Sequence, residues 1–244
     1  MAKATVSLGG RDILDLDSLS VEEYELILKT AAEMKRIMKR DIKKVPSLRG
    51  KSIINLFYEP STRTRTSFEL AGKYLGADVV NITTSSSSVV KGECLRDTIL
   101  TVQSMACDAI VMRHPIEGAA AYAADVSKAV IINAGDGGHN HPTQTLTDLL
   151  TIHKEKGRFD GLTVGLCGDL KFGRTVHSLV AAMSRYENVR FVLISPEELK
   201  LPRYVKEQYI KKNNIPYTQS TSLEEVMPEL DILYMTRVQL SLIH

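Results

Sequence analysis

Apolar positions along this chain change their period repeatedly, and each change marks an element. Tyr24, Ile27, Leu28, Ala31, Met34 and Met38 recur on one face at the helical period. Ser20 and Glu23 have capping-box spacing, so a helix is predicted to begin near Ser20. Beyond it, short β-branched runs at Ser52–Phe57, 78–82, 109–112 and 129–132 alternate with helical segments near 64–75, 93–106 and 117–127. A longer helix, Pro142–Lys156, is expected to end at Gly157. The alternation then restarts with a strand at 162–167, a helix near 175–186 and a strand at 189–194. A helix near 203–212, a weak strand near Tyr217 and a strand at Ile232–Met235 follow.

Strand–helix alternation implies parallel sheets with helices on both faces. Two such series joined by one long helix predict an α/β chain of two doubly wound parallel-sheet domains, dividing near residues 135–160. With the boundary at the head of that helix, the domains are 1–141 and 142–244. A ligand is expected at the strand C-termini, facing the cleft between the domains. No repeat of solenoid period is present. The one low-complexity patch, residues 83–88, is too polar and small to pack and is expected to be an exposed loop.

Composition narrows the chemistry. Hydrophobic residues make up 43% and charged residues 25%, enough for a sizeable core. The 31 basic residues against 29 acidic ones leave a net charge of +2, so no basic footprint marks a nucleic-acid partner and any cationic site must be local. Cys94, Cys107 and Cys167 are scattered and lack C-x-x-C spacing, which argues against a disulfide framework or a zinc site and for reduced thiols. The N-terminus lacks the apolar run of a signal peptide, and no stretch of about 18 apolar residues exists to span a bilayer. The expectation is a cytoplasmic protein with no membrane partner.

The densest chemistry lies in Ser61-Thr62-Arg63-Thr64-Arg65, where a strand turns into a helix. A helix N-terminus presents unpaired N–H groups and a partial positive charge, both suited to an anion. The hydroxyls of Ser61, Thr62 and Thr64 add donors, and Arg63 adds a guanidinium fork matched to phosphate. The bland alternative is a cap with solvated arginines. One cap needs one hydroxyl, however, and three hydroxyls with two arginines in five residues exceed that need. The G-x-x-x-x-G-K-[ST] pattern is missing, so this is not a P-loop. The reading is a site for a small phosphorylated metabolite.

Other polar residues fall at the ends of other strands. Arg113, in Met112-Arg113-His114-Pro115, is by itself weak evidence, since an arginine after a strand is often just solvated. His139 and His141 invite a metal reading, but only Asp136 is near and a third spaced ligand is lacking, so metal is set aside. A neutral His141 donating to a carbonyl oxygen is the better functional reading, with a helix-capping histidine as its bland alternative. Gly165, Gly168 and Gly173 do not match the dinucleotide fingerprint; they punctuate a turn that delivers Arg174 to a helix start. Arg237 follows the last strand. Four arginines, Arg63, Arg113, Arg174 and Arg237, converge by topology on one cleft, which suits substrates with several negative charges.

Together these residues resemble the catalytic chain of the aspartate carbamoyltransferase family. The matching stretches are FYEPSTRTRTSFE at 57–69, KGE at 91–93, MRHP at 112–115, HPTQ at 141–144, GDLKFGRTVHSL at 168–179 and YMTRVQ at 234–239. The first alone would not separate aspartate from ornithine carbamoyltransferases. Lys91, HPTQ, and Arg174 with Arg237 and Gln239 do, since arginines suit a dicarboxylate and would repel the cationic side chain of ornithine. The resemblance implies transfer of a carbamoyl group from carbamoyl phosphate to L-aspartate in pyrimidine synthesis, with no metal or cofactor.

The resemblance also implies roles. Ser61, Thr62, Arg63 and Thr64 would hold the phosphate. Thr64, Arg113 and His141 would hold and polarise the carbamoyl carbonyl, with Gln144 on its amide. Arg174, Arg237 and Gln239 would hold the aspartate carboxylates. Ser87 and Lys91 lie on a polar loop that in the family reaches into a neighbouring subunit's site, Lys91 serving both substrates, which implies a homotrimer. Regulatory chains are a possible further partner. After Gln239 this chain reads Leu240-Ser241-Leu242-Ile243-His244, where family members continue with a charged segment, a Pro-Leu-Pro-Arg loop and a final helix. The expectation from that departure is a C-terminally truncated, incomplete second domain and greatly reduced turnover. The rival readings are a carbamoyltransferase for another amino acid and a non-catalytic relative serving as a binding or assembly module.

Overall fold

The structure is a computed structural model that describes residues 6–83 and 93–236. It divides into two compact units, Met1–Thr143 and Gln144–His244, each with its own parallel sheet.

The first unit opens with α1 (Val21–Ile37), fixed at its head by the reciprocal bonds of a capping box: Glu23 N–H donates to Ser20 Oγ at 3.3 Å and Ser20 N–H to Glu23 Oε2 at 2.7 Å. The chain then alternates through β1 (Ser52–Phe57), α2 (Thr62–Tyr74), β2 (Asp78–Thr83) and α3 (Leu95–Ser104). It continues through β3 (Ala109–His114), α4 (Ala119–Val126) and β4 (Val130–Asp136) to the head of α5 (Pro142–Lys156). The strands lie in the order β2-β1-β3-β4, all parallel. Ile54, Leu56, Ile110, Met112 and Ile131 pack with Ile99 and Val102 of α3 on one face. Ala119, Ala120 and Ala123 let α4 approach that face closely, and all three are buried. On the other face Phe57, Val111 and Ala134 pack with Phe68 of α2.

β4 runs four residues beyond the strand predicted at 129–132. The polar residues Asn133 and Asp136 read as loop in sequence, yet both are buried, and Asn133 Nδ2 donates to Leu14 O at 2.8 Å and to Asp136 Oδ1 at 2.9 Å. Ile13 adds a short bridge along β4, giving its N–H to Ile131 O at 2.9 Å and taking the Asn133 N–H at 2.8 Å. No periodic signal marks a one-residue bridge.

In the second unit α5 leads to β5 (Thr163–Cys167), α6 (Arg174–Met183) and β6 (Arg190–Ile194). The predicted helix at 203–212 is a short α-helical start, α7 (Arg203–Val205), that widens into a π-helical stretch over Lys206–Lys211. β7 (Tyr217–Ser220), α8 (Leu223–Val226) and β8 (Ile232–Met235) complete the described residues. α8 is too short to show a period, and its one sequence signal is the cap, where Glu225 N–H donates to Ser222 Oγ. The order is β7-β6-β5-β8, again all parallel. Every residue of α6 from Val176 to Met183 is buried. Among the described residues no helix is long and apolar enough to cross a membrane.

Both sheets reverse direction once. β1 leads to β2 on one side while β3 and β4 lie on the other; β5 leads to β6 and β7 on one side while β8 lies on the other. At such switch points two loops leave neighbouring strands in opposite directions and open a crevice at the strand C-termini.

Candidate active site

In the first unit the switch point lies between β1 and β3, where Phe57 pairs with Arg113. The loop leaving β1 is tied down at once, Tyr58 N–H donating to Arg113 O at 2.8 Å. Three residues on, Ser61 takes the N-cap position of α2 in extended conformation, but its side chain makes no capping bond. The first turn of α2 also lacks an acidic residue. The helix head therefore keeps its partial positive charge without a carboxylate of its own. Arg63 lies in that turn and is exposed. Arg113 donates through Nε to Glu59 Oε2 at 2.9 Å, with the two side chains only 14% and 26% exposed. Glu59 thus anchors the guanidinium through Nε.

β4 ends beside β3, and its loop is organised by Asp136. One carboxylate oxygen accepts Gly118 N–H at 2.9 Å; the other accepts Asn133 Nδ2 and, at 3.1 Å, Asn140 N–H. Asp136 N–H returns to Asn140 O at 3.1 Å, and Gly137 N–H donates to His114 O at 2.9 Å. This closed loop delivers His141, 7% exposed, to the head of α5. Burial pushes the Asp136 carboxyl up, but its hydrogen bonds to His139, Asn133 and Gly118 outweigh that and hold it below the ordinary value. His139, whose Nδ1 lies 3.5 Å from Asp136 Oδ2, is raised by that contact. Burial lowers His114, which accepts Ile116 N–H on Nδ1 at 3.0 Å and packs on the Tyr58 ring. His114 is thus a neutral structural group.

In the second unit the loops after β5 and β8 interlock. Gly168, at φ +112°, lies where a Cβ would come 2.5 Å from Thr236 Oγ1, so only glycine fits. Asp169 N–H donates to that Thr236 oxygen at 2.7 Å, and the Asp169 carboxylate accepts Lys171 and Phe172 N–H at 3.1 and 2.9 Å. The turn so formed starts α6 on Arg174. Thr236, the residue before Arg237, returns its N–H to Cys167 O at 2.8 Å.

A further network joins three elements of this unit. On α5, Gln144 Nε2 donates to Asp148 Oδ1 at 3.0 Å; from β8, the Tyr234 hydroxyl donates to Asp148 Oδ2 at 3.1 Å. Thr175, next to Arg174, hydrogen-bonds the same hydroxyl. Burial pushes Tyr234 up to about 12 and raises Asp148 as well.

Two domain descriptions match this chain: "Aspartate/ornithine carbamoyltransferase, carbamoyl-P binding domain" over residues 11–154, and "Aspartate/ornithine carbamoyltransferase, Asp/Orn binding domain" over residues 160–241. The aspartate carbamoyltransferase catalytic subunit of Clostridium perfringens is 55% identical over 233 residues, covering 95% of this chain and 75% of that one. The chain belongs to the aspartate carbamoyltransferase family. The catalytic subunit of Lachnoclostridium phytofermentans is 62% identical over 191 residues, or 78% of this chain and 62% of that one. Among solved structures, the aspartate transcarbamoylase of Trypanosoma cruzi in complex with carbamoyl phosphate and aspartate superposes with a TM-score of 0.88 at 39% identity, over 95% of this chain and 73% of that one. The catalytic subunit of the M. Jannaschii enzyme gives 0.86 at 47%, over 94% and 74%.

For this member of the carbamoyltransferase family, the first sheet brings Ser61, Thr62, Arg63, Thr64, Arg113 and His141 to the C-terminal ends of three adjacent strands. Gln144 follows on the first turn of α5, and Arg174 heads α6 in the second unit. Ser87, Lys91, Arg237 and Gln239 lie outside the described residues. Among the described residues no group of three or more His, Cys, Asp or Glu side chains is arranged for a metal. Glu59, Asp148, Asp169 and Thr236 carry no sequence signal used above, and Asp136 enters there only beside the histidines as a metal ligand. Asp148 had a readable signal, its i,i+4 spacing from Gln144 on a helix, and Asp169 a local one, the turn it forms with Lys171 and Phe172; Glu59 and Thr236 act through contacts between distant segments.

Proposed function

We propose that this chain binds carbamoyl phosphate at the head of α2 and transfers its carbamoyl group to L-aspartate, giving N-carbamoyl-L-aspartate and phosphate in pyrimidine biosynthesis. The observation that carries this reading is the uncapped, carboxylate-free N-terminus of α2 beside an arginine anchored by Glu59 at the switch point of the first sheet. The helix amides, the hydroxyls of Ser61, Thr62 and Thr64, and Arg63 take the phosphate. Arg113, Thr64 and His141 take the carbamoyl oxygen, and Gln144 the carbamoyl amide.

The neutral amine of aspartate attacks the carbamoyl carbon, and negative charge grows on the carbonyl oxygen. Fixed donors aimed at such an oxygen contribute about 2.7–4 kcal/mol each in comparable sites. Because Glu59 already holds Arg113, the guanidinium need not reorganise as the charge develops. The tetrahedral carbon then expels phosphate, breaking the C–O bond to the leaving group, and phosphate takes the amine proton. Arg174, with Arg237 and Gln239, holds the two carboxylates of aspartate. Ser87 and Lys91 complete the site of a neighbouring copy in a homotrimer, which works in the cytoplasm.

Incorporation of labelled carbamoyl phosphate into aspartate and into ornithine, assayed in parallel, tests the reading. Labelled carbamoyl aspartate with no labelled citrulline is expected. Carbamoylation of ornithine alone, or absence of both carbamoyl phosphate binding and product, would overturn it.

A further inference from the structure

Asp148 belongs to none of the roles above, yet it is the acceptor at the centre of the network that holds Gln144. An ionised carboxylate only accepts hydrogen bonds, and its two oxygens here receive one donor each: the Gln144 amide at 3.0 Å and the Tyr234 hydroxyl at 3.1 Å. The direction of the Gln144 amide is therefore chemically decided. Its NH2 must face Asp148, and its carbonyl oxygen is turned to the other end of the amide.

The i,i+4 spacing places Asp148 one turn below Gln144 on the same face of α5, so the pair is held by helix geometry rather than by a loop. Tyr234 braces the carboxylate from β8, and Thr175 braces Tyr234 from the first turn of α6. Burial raises Asp148, whereas both of its hydrogen bonds favour the ionised form that can accept from Gln144 and Tyr234.

The geometry points to Asp148 as a positioning and specificity-determining residue: by taking the Gln144 NH2, it presents the Gln144 carbonyl oxygen as an acceptor, so that the site favours an acyl phosphate bearing an NH2 group over one bearing a methyl group. This rests on the reading of Gln144 as the group that meets the carbamoyl amide. An asparagine at 148 could donate to a reversed Gln144 amide, which would then offer its own NH2 to the ligand and lose the distinction.

The test compares the affinity of the full chain for carbamoyl phosphate and for acetyl phosphate, which differ only by NH2 against CH3. Wild type is expected to prefer carbamoyl phosphate by about tenfold, the scale of one well-formed hydrogen bond. Asp148→Asn should bring the two affinities together, chiefly by weakening carbamoyl phosphate. Gln144→Met should abolish the preference, and adding Asp148→Asn in that background should change nothing further. Tyr234→Phe, which spares the Gln144 contact, should retain the preference. A folded Asp148→Asn chain with the wild-type ratio would overturn the role of Asp148 alone. Wild type that binds neither acyl phosphate would overturn the reading of the site together with it. A measurement on wild type needs no variant: the Gln144 side-chain NH2 resonances should shift in step with titration of the Asp148 carboxyl, and independence of the two would overturn the inference.

Discussion

Glu59 and Arg113 meet at 2.9 Å across the ends of two neighbouring strands, and each is largely withdrawn from water. Removing the guanidinium deletes the proposed oxyanion donor and strands the Glu59 carboxylate without its partner. Arg113→Ala should therefore lower kcat/KM about 10²–10³-fold in steady-state assays. Glu59→Gln keeps the arginine but loosens its anchor, and should fall between that variant and wild type. His139 carries the pH dependence at this scale. Its pKa is raised by Asp136, with Glu117 and Asp15 also facing it. A raised folded-state value means that the stabilisation is fully present below the unfolded value of about 6.5, and is lost as pH rises through the higher folded value. The Tm difference between wild type and His139→Gln should accordingly be larger near about pH 5.5 than near about pH 8.5. Equal differences at both would show that the contact to Asp136 carries no charge. The arginines and hydroxyls of the proposed site are legible in sequence because side-chain type is local. Asp136 reads in sequence only as a metal ligand, because its role joins the nearby Asn133 and Asn140 to the remote Gly118, and that last partner has no sequence signal.

At the scale of elements, periodicity served best where a segment is long and one face is buried, as in α1. It failed where polar residues are buried with partners, as at the end of β4, and where an element is a single bridge, as at Ile13. Close packing of α2 on β2 depends on Gly72. A Cβ there would lie 2.5 Å from Val79 Cγ2, a side chain stiff at χ1. Gly72→Ala should destabilise the chain by about 1–3 kcal/mol in chemical denaturation, outweighing the helix propensity gained from alanine. Unchanged or higher stability would mean that Val79 moves aside freely. The widening of the helix after Val205 into a π-helical stretch follows no pattern readable in that sequence, and the structure offers no physical account of it.

Across the whole molecule, two doubly wound sheets each have one switch point, with an uncapped helix head in the first unit and an arginine-headed helix in the second. The proposed homotrimer predicts sedimentation of the purified chain at three times its mass of 27.1 kDa, and a monomer at assay concentration would count against shared sites. By itself, the sequence determined the alternation of strands and helices, the parallel character of both sheets and the cluster of hydroxyls and arginines at residues 61–65, because period and side-chain type are properties of contiguous residues. Only the tertiary structure decided the order of strands, and with it which loops stand side by side. It alone showed that Glu59 anchors Arg113, that Gly118 closes on Asp136 and that Tyr234 meets Asp148. The physical reason is that a hydrogen bond between distant segments is set by where packing brings its two ends. Packing in turn depends on volumes and faces summed over the fold, which no window of sequence contains.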